Sequence, residues 1–206
     1  MKKENRFDKR KAETKAKIFK AAVELFLEQG YEITTIEQIV EKADVAKGTF
    51  FLHFPTKKAV IFYLGEQRVA LMEEMLIEKL KTIKSARKKI FSLLNVLAEV
   101  NEENKEITGL ITKEIFKELF SKMNPEKENQ MQLKMMLVKI LVDGQQQGEF
   151  HRDFNPVHAA DIIISIYFYT LFQWLDGWLS KPLAEEFSDR VKIIMAGIAF
   201  TCNSTV

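Results

Sequence analysis

Residues Thr35–Phe54, TIEQIVEKADVAKGTFFLHF, are predicted to form two short helices with almost no residues between them. Thr35 is placed to cap the first helix, and Gln38, three residues later, completes a capping-box pattern. Apolar side chains then recur at helical spacing until Asp44 and Val45 interrupt them. Two helices joined by so tight a turn cross steeply, so the pattern predicts a helix-turn-helix whose second helix projects from the surface.

The second predicted helix begins with small and cationic residues, Ala46, Lys47, Gly48 and Thr49, where a buried helix would carry Leu or Ile. Short and cationic side chains suit the major groove of DNA, because they reach phosphates and base edges. The pattern therefore favours a DNA-recognition helix. An ordinary buried helical hairpin is the alternative that the pattern alone leaves open.

Composition indicates an all-α protein in a reducing compartment. Of the 206 residues, 47% are hydrophobic and 29% are charged, with four prolines and eight glycines, and β-branched alternation is nearly absent. Cys202 is the single cysteine, so no intrachain disulfide is expected. The basic start lacks the apolar core of a secretory signal, and the most apolar run, Ile162–Leu175, is too short to span a bilayer. We expect a cytoplasmic protein without a membrane partner.

Charge is distributed unevenly along the chain. Residues 1–58 contain 13 Lys and Arg against 9 Asp and Glu, whereas the remaining residues contain 18 against 20. A basic N-terminal segment on a near-neutral body is typical of a chain that meets a polyanion with one end. A basic tail that is merely solvated is the alternative.

Helix signals and breakers divide the chain into segments. The first ten residues are predicted to be a flexible arm, followed by a helix from about Lys11 to Gln29 that Gly30 ends. Pro55-Thr56 marks the start of a long helix. The predicted helices after the helix-turn-helix span residues 57–80, 85–103, 106–121, 126–147, 155–179 and 183–202.

These segments predict two domains in an all-α chain. An N-terminal arm and three-helix helix-turn-helix DNA-binding domain would occupy residues 1–57. The long helix would join it to a C-terminal helical bundle in residues 58–206, which would bind ligand and carry a dimer interface.

The run from Thr14 to Val60 resembles the N-terminal DNA-binding domain of TetR-family transcriptional regulators. Beyond it, only the segment GQQQGEFHRD at residues 144–153 and Trp174 resemble the family, and loosely. The family has a variable C-terminal helical domain that binds ligand and dimerises, and its members are mostly repressors that leave DNA when a small molecule binds. The residues that carry the resemblance are Leu25, Phe26, Gly30, Tyr31, Thr34, Thr35, Ile39, Ala43, Lys47, Gly48, Thr49, His53, Phe54 and Lys57.

The resemblance implies a DNA-binding role for individual residues. Thr35 and Lys47 would contact the DNA backbone or bases, and Gly48 would allow close approach. Thr49 would face the groove, while His53 and Lys57 would hold phosphates. The implied DNA-binding residues are Thr34, Thr35, Ala46, Lys47, Gly48, Thr49, Phe51, Leu52, His53 and Lys57.

The chain departs from the family pattern at three positions. Ala46 stands where a capping Ser or Thr is usual, Phe51 replaces a Tyr that commonly reaches a phosphate, and Asp44 replaces a Gly in the turn. Phe51 and Leu52 instead offer apolar surface, which suits thymine methyl groups. We therefore expect an operator that is rich in A·T where the recognition helix lies.

The C-terminal body is rich in aromatic residues and methionine. Flexible Met and flat aromatic side chains suit a pocket for irregular apolar or amphipathic ligands, although core packing is the alternative for each residue taken singly. The candidate ligand-binding residues are Phe116, Phe120, Met135, Phe168, Phe172 and Trp174.

The last two predicted helices, near 158–179 and 183–202, are apolar on more than one face. A second apolar face predicts a second contact, and a two-fold homodimer through both helices is the simplest one. A fully buried central helix in a monomer is the alternative. Trp174 and Trp178 would lie either in that interface or in the pocket.

The sequence lacks the motifs of common enzymes and metal proteins. No Ser/His/Asp order, phosphate-cradling Gly loop or HExxH motif occurs, and no Cys or carboxylate is spaced with His151 and His158 as a metal set. We expect no enzymatic activity, no metal and no cofactor. The expected function is that of a homodimeric repressor of a palindromic operator, in which a ligand tilts the long helix. A regulator of the same fold without a small-molecule effector and a helical scaffold protein are the alternatives.

Overall fold

The computed structural model describes the backbone of residues 6–122 and 128–198, and the side chains of residues 8–114, 116–117 and 133–198. Its regular elements in these ranges are all helices, which confirms the all-α prediction. None of the described helices is long and apolar enough to cross a membrane. In chain order they are α1 (Arg6–Gln29), α2 (Ile36–Lys42), α3 (Lys47–His53), α4 (Lys57–Lys81), α5 (Ala86–Glu102), α6 (Lys105–Lys122), α7 (Glu128–Gln146), α8 (Pro156–Leu175) and α9 (Leu183–Ile198).

The start of α1 differs from the prediction. The helix begins at Arg6, so the expectation of a flexible arm over the first ten residues is wrong from residue 6 onward. Lys and Arg are good helix formers, and Asp8 in the first turn complements the helix dipole. The apolar stripe used for the prediction begins only further along, which is why these turns were missed. The end of α1 is as predicted, with Gly30 at φ +91° after its last residue.

The connection between α2 and α3 has the predicted capping at its start and a left-handed residue in its turn. The Thr35 hydroxyl accepts a hydrogen bond from the Gln38 N–H, and the Gln38 side chain accepts one from the Thr35 N–H, so the capping box is confirmed. α2 ends in a Schellman motif with Asp44 at φ +50°, because the Val45 N–H donates to the Val40 carbonyl at 3.0 Å. Ala46 begins α3 without a side-chain cap, as expected.

The described parts of Met1–Glu66 and Glu106–Lys122 form the first compact unit. α6 therefore belongs to this unit and adds Ile107 and Ile111 to its core. The predicted DNA-binding domain, residues 1–57, lacks α6. The division of the chain into these two domains stays a prediction. The core residues from α1, α2, α3 and α4 include Ile18, Ala22, Phe26, Ile39, Ala43, Phe50, Val60 and Ile61, with Phe54 following α3.

The second compact unit comprises Gln67–Lys105 and the described parts of Met123–Val206. α5 supplies much of its core, and hydrogen bonds hold both ends of this helix. At the N-terminus, the Glu149 carboxylate accepts hydrogen bonds from the Ser85 hydroxyl at 2.8 Å and the Ala86 N–H at 2.9 Å. At the C-terminus, the Arg68 guanidinium donates to the Val100 carbonyl. The buried α5 residues are Ala86, Ile90, Leu93, Leu94, Val96, Leu97, Ala98 and Val100.

The chain between α7 and α8 is closely packed. A Cβ added at Gly144 would lie 2.3 Å from the Phe150 ring and 2.8 Å from the Ala86 Cβ. The Gln145 amide donates to the carbonyls of His151 at 2.9 Å and Phe154 at 3.0 Å. Gly144, Gln145 and Phe150, which belong to the segment 144–153, thus pack inside the second unit.

The ends of α8 and of the last helix were predicted beyond residue 175 and at residue 202. α8 stops at Leu175 instead of residue 179, because Gly177 at φ +77° turns the chain. It starts at Pro156, one residue after the predicted start, and the Asn155 side chain caps it by accepting a hydrogen bond from the Val157 N–H. The predicted end of the last helix at residue 202 lies outside the described residues.

Candidate nucleic-acid interface

α3 is anchored on one side and open to solvent on the other. Phe50 is fully buried in the first unit, whereas the side chains of Phe51 and Leu52 are 44% and 73% exposed. Two adjacent large apolar side chains of this short helix are therefore open to solvent. The structure thus places the predicted apolar surface of α3 on the outside of the unit.

The small residues at the start of α3 also face outward. A Cβ added at Gly48 would meet no atom within 4 Å, so the protein's own packing does not require glycine there. Ala46 is exposed and Thr49 is half-buried. This part of α3 has room around its backbone for close approach by another molecule.

Lys47 does not stand alone on this surface. Its ammonium forms an ion pair with the Glu37 carboxylate in the first turn of α2, and both side chains are more than half exposed. The hydrogen bond from Lys47 lowers the pKa of the Glu37 carboxyl, so the carboxylate stays ionised at neutral pH. The sequence predicted a role for Lys47 but none for Glu37, which is one of several carboxylates between residues 24 and 44 and belongs to no motif.

The two threonines before α2 have different surroundings. Thr35 is exposed and caps α2. Thr34 is only 1% exposed, and its hydroxyl donates to the Gly30 carbonyl at 2.7 Å and accepts from the Gln29 amide at 3.2 Å. The geometry of Thr34 supports a role in holding the end of α1 against the start of α2, and its DNA contact stays a prediction.

Lys57 is also held by contacts within the protein. Its ammonium donates to the carbonyls of Tyr31 at 2.6 Å, Thr34 at 2.8 Å and Glu32 at 3.3 Å, and it lies 4.3 Å from the centroid of the Tyr31 ring. An ammonium has three N–H donors, so these carbonyls occupy all of them. A phosphate contact by Lys57, which stays a prediction, would require this arrangement to change.

His53 ends α3 beside cations from α1. Burial lowers the pKa of the His53 imidazole below its ordinary value, and the charges of Lys11 and Lys15 lower it further. The Lys15 ammonium itself lies 3.6 Å from the centroid of the Tyr63 ring. The His53 side chain is therefore mainly neutral at pH 7 and lies in a positive field that attracts anions.

α6 contributes a buried carboxylate to the first unit. Glu114 is 5% exposed and lies 2.8 Å from the Lys117 ammonium and 3.6 Å from that of Lys58 on α4. Burial raises the pKa of the Glu114 carboxyl, but the two lysines lower it by more, so the net shift is downward. Glu114 thus joins α6 to the start of α4 inside this unit.

The candidate ligand-binding residues are divided between the two units. Phe116 is half-buried on α6 in the first unit, and Phe168, Phe172 and Trp174 are half-buried on α8 in the second. Met135 on α7 is 63% exposed, which does not favour an enclosed ligand contact. The side chain of Phe120 lies outside the described residues.

The predicted dimer helices carry exposed apolar side chains. Ile162 and Tyr169 on α8 are 51% and 60% exposed, and Ile193 on α9 is 76% exposed. Trp178, beyond the end of α8, is 72% exposed, whereas Trp174 packs beside the core and lies 4.9 Å from the Lys105 ammonium. Exposed apolar residues on adjacent elements are typical of protein–protein contact surfaces.

Among the described side chains, no group of three could ligate a metal ion.

Comparisons with known proteins match the N-terminal part of the chain to a family of regulatory proteins. Residues 18–64 match the sequence profile of the bacterial regulatory proteins of the tetR family. The transcriptional regulator TcmR of Streptomyces glaucescens is 51% identical over 47 residues, which are 23% of this chain and 21% of TcmR. The fatty acid metabolism regulator protein of Bacillus subtilis is 32% identical over 73 residues, 35% of this chain and 38% of that protein. The matches thus span about a fifth of TcmR and less than two fifths of the Bacillus regulator.

A solved structure is similar over nearly the whole chain. It is that of Thermus thermophilus FadR, a TetR-family transcriptional repressor in complex with lauroyl-CoA, with 26% identity and a TM-score of 0.69. The alignment covers 93% of this chain and 98% of that one.

Proposed function

We propose that this chain, which belongs to the TetR family of bacterial regulatory proteins, is a homodimeric repressor released from a palindromic operator by a small apolar or amphipathic ligand. Its fold and family make it a DNA-binding transcriptional regulator. The repressor activity, the ligand, the dimer and a cytoplasmic location are the proposed parts.

One observation carries the DNA-binding part of the proposal. α3 is anchored by Phe50 but directs Gly48, Phe51 and Leu52 outward, with open space around Gly48. A short helix with a small residue and apolar side chains on its open face suits the major groove, where thymine methyl groups are accessible. We therefore propose an operator rich in A·T at the steps that α3 contacts.

The ligand-binding part is supported by α6 and by the comparisons. Phe116, a candidate ligand contact, lies on the same helix as Ile107, Ile111 and Glu114, which pack inside the first unit. A ligand that touched Phe116 would act directly on a helix of the DNA-binding unit. Because the similar FadR structure contains lauroyl-CoA, we propose long-chain acyl thioesters as the first ligand class to test.

The dimer is supported by Ile162, Tyr169 and Ile193, which leave apolar surface uncovered on α8 and α9. In a two-fold dimer each subunit would present one α3, so the operator would have two related half-sites. Sedimentation of the full chain would give the dimer mass, and charged substitutions at Ile162 and Ile193 would give the monomer mass.

A salt titration tests the DNA contact. Operator duplexes would be selected in vitro from a random library, and the binding constant of the full chain measured by fluorescence anisotropy at several salt concentrations. Lys47→Ala should reduce the slope of log K against log salt by about 0.9 if Lys47 neutralises one phosphate. An unchanged slope and affinity would remove Lys47 from the interface.

Ligand release is tested on the same complex. Lauroyl-CoA should lower operator affinity and change tryptophan fluorescence, because Trp174 and Trp178 are the two tryptophans of the chain. Release of the duplex by lauroyl-CoA but not by free coenzyme A would support an acyl ligand. Operator binding that no acyl thioester alters would favour a regulator without such an effector.

A further inference from the structure

Glu37 is an anion at the place where the chain meets a polyanion. It lies in the first turn of α2, and its carboxylate pairs with the ammonium of Lys47, the first residue of α3. A neutral residue at position 37 would leave Lys47 free to meet phosphate. An exposed pair of this kind contributes little to stability, so Glu37 can be changed with little effect on the fold.

The pair changes how Lys47 binds a phosphate. With Glu37 in place, the Lys47 ammonium is already neutralised in the free protein, so a phosphate that binds it must displace the carboxylate or share the cation with it. When the cation is shared, carboxylate and phosphate lie within a few ångströms of each other and repel. Contact with the backbone alone is thereby weakened on every DNA sequence.

A cognate site offers the carboxylate a compensating partner. In the major groove, cytosine N4 and adenine N6 carry amino donors, and carboxylates accept hydrogen bonds from such groups. The ion pair places Glu37 beside the first residue of α3, within the surface that the proposed function assigns to DNA. Every base pair carries one such amino group, but its position in the groove depends on the sequence, so the carboxylate distinguishes a duplex that places the group within its reach from one that does not.

We propose that Glu37 is a specificity-determining residue, which restrains Lys47 and penalises binding through phosphates alone. Repulsion of incorrect partners is a recognised source of specificity, because discrimination depends on the difference between two affinities. The proposal rests on the proposed DNA-binding function and adds a residue that lowers non-specific affinity.

The test compares an operator selected in vitro with a scrambled duplex of equal length. Glu37→Gln removes the charge but keeps the shape. We expect affinity for the scrambled duplex to rise roughly three- to tenfold, and affinity for the operator to rise less or to fall. On the scrambled duplex, the slope of log K against log salt should steepen by about 0.9, because Lys47 becomes free to neutralise a phosphate.

Two further variants separate this effect from general charge and from structure. Glu28→Gln makes the same change in net charge, but Glu28 pairs with Lys42 at the other end of α2. It should leave the ratio of operator to scrambled affinity close to that of the wild type. In a Lys47→Ala background, Glu37→Gln should no longer steepen the salt dependence, because its partner is absent.

The outcomes distinguish this inference from the function on which it rests. If the wild-type chain enriches no duplex from the library, the proposed function fails and the inference fails with it. If it enriches an operator but Glu37→Gln changes the affinity ratio no more than Glu28→Gln does, the inference alone is overturned. Equal weakening on both duplexes with a lower melting temperature would make Glu37 a structural link and would also overturn it.

Discussion

Glycine occupies two helical positions, Gly48 and Gly144, in very different surroundings. A Cβ at Gly144 in α7 would lie 2.3 Å from Phe150, whereas a Cβ at Gly48 in α3 would meet no atom within 4 Å. The close-packed interior of the second unit leaves no room for a methyl group at Gly144. Gly48 has room, so a close approach by an external partner is the better explanation for its size. Glycine at position 144 is thus required by internal packing, whereas glycine at position 48 is not.

The largest change in stability is expected at Gly144, in the interior of the second unit. Gly144→Ala should lower the free energy of unfolding by about 3 kcal/mol, because the new methyl group overlaps the Phe150 ring and the Ala86 side chain. Urea denaturation followed by far-ultraviolet circular dichroism measures the change. Phe150→Leu in the same chain should recover part of the loss, since it removes the ring that the methyl group meets.

Gly48→Ala is the matched variant on the external side. We expect the free energy of unfolding to stay unchanged or rise by about 0.5 kcal/mol, because alanine favours the helix. Operator affinity should fall about tenfold, or about 1.4 kcal/mol, since the methyl group blocks close approach. If Gly48→Ala destabilised the fold as much as Gly144→Ala, the comparison would be wrong.

The next effect concerns Lys57, which adjoins the proposed DNA surface but is held by internal contacts. Lys57→Met should lower the free energy of unfolding by about 2 kcal/mol, because the carbonyls of Tyr31 and Thr34 lose a charged donor. Thermal and urea unfolding measure it. Lys42→Met, which breaks surface ion pairs with Glu28 and Glu24, is the control and should cost less than about 1 kcal/mol. Unchanged stability with a weaker salt dependence of DNA binding would instead make Lys57 a phosphate contact.

A smaller change in stability is expected at Asp44, in the exposed turn between α2 and α3. Asp44 adopts φ +50°, where glycine is favoured, and its carboxylate lies 3.9 Å from Lys17 on the exposed surface. Asp44→Gly should therefore raise the free energy of unfolding by about 0.5–1 kcal/mol, since the backbone cost outweighs the weak ion pair. Asp44→Ala keeps the strain while removing the charge, so it should not stabilise the chain.

The smallest expected effect is a pair of opposite pH trends at His53. The lowered pKa of the folded imidazole means that the unfolded chain binds the proton better, so stability falls as pH drops from about 6.5 towards the folded pKa. A phosphate beside His53 would favour the charged form, so operator affinity should rise as pH drops. His53→Gln should reduce both trends. Trends of the same sign in the wild type would exclude a phosphate contact by His53.

Much of the fold could be predicted because its helices carry local signals. The Thr35 capping box, Gly30 after α1 and the Asn155 cap of α8 each mark a boundary through a backbone hydrogen bond or a left-handed φ. The first turns of α1 lack such a mark and depend on helix propensity, so the prediction began that helix too late. The family resemblance supplied the interpretation of α3 as a recognition helix, which periodicity alone left open.

The contacts that the sequence did not predict are those between distant segments. Lys57 meets carbonyls of the loop before α2, and Glu37 meets Lys47 ten positions later on another helix. Neither pair shares a helical repeat, so no periodic pattern indicates it. The apolar spacing of Ile107 and Ile111 predicts a buried helical face but does not say which unit covers it. Their packing in the first unit therefore became visible only in the folded chain.

The place of α6 bears on how such a regulator can be rebuilt. Because Ile107 and Ile111 complete the core of the first unit, a chimera that joins residues 1–66 to a foreign sensor domain receives an incomplete core. It would expose the apolar surface that α6 covers, and we expect it to aggregate or to be degraded. A transferable DNA-reading module must therefore carry its own α6, although that segment lies some 40 residues further along the chain. Modularity in this protein follows packing, not the order of the sequence.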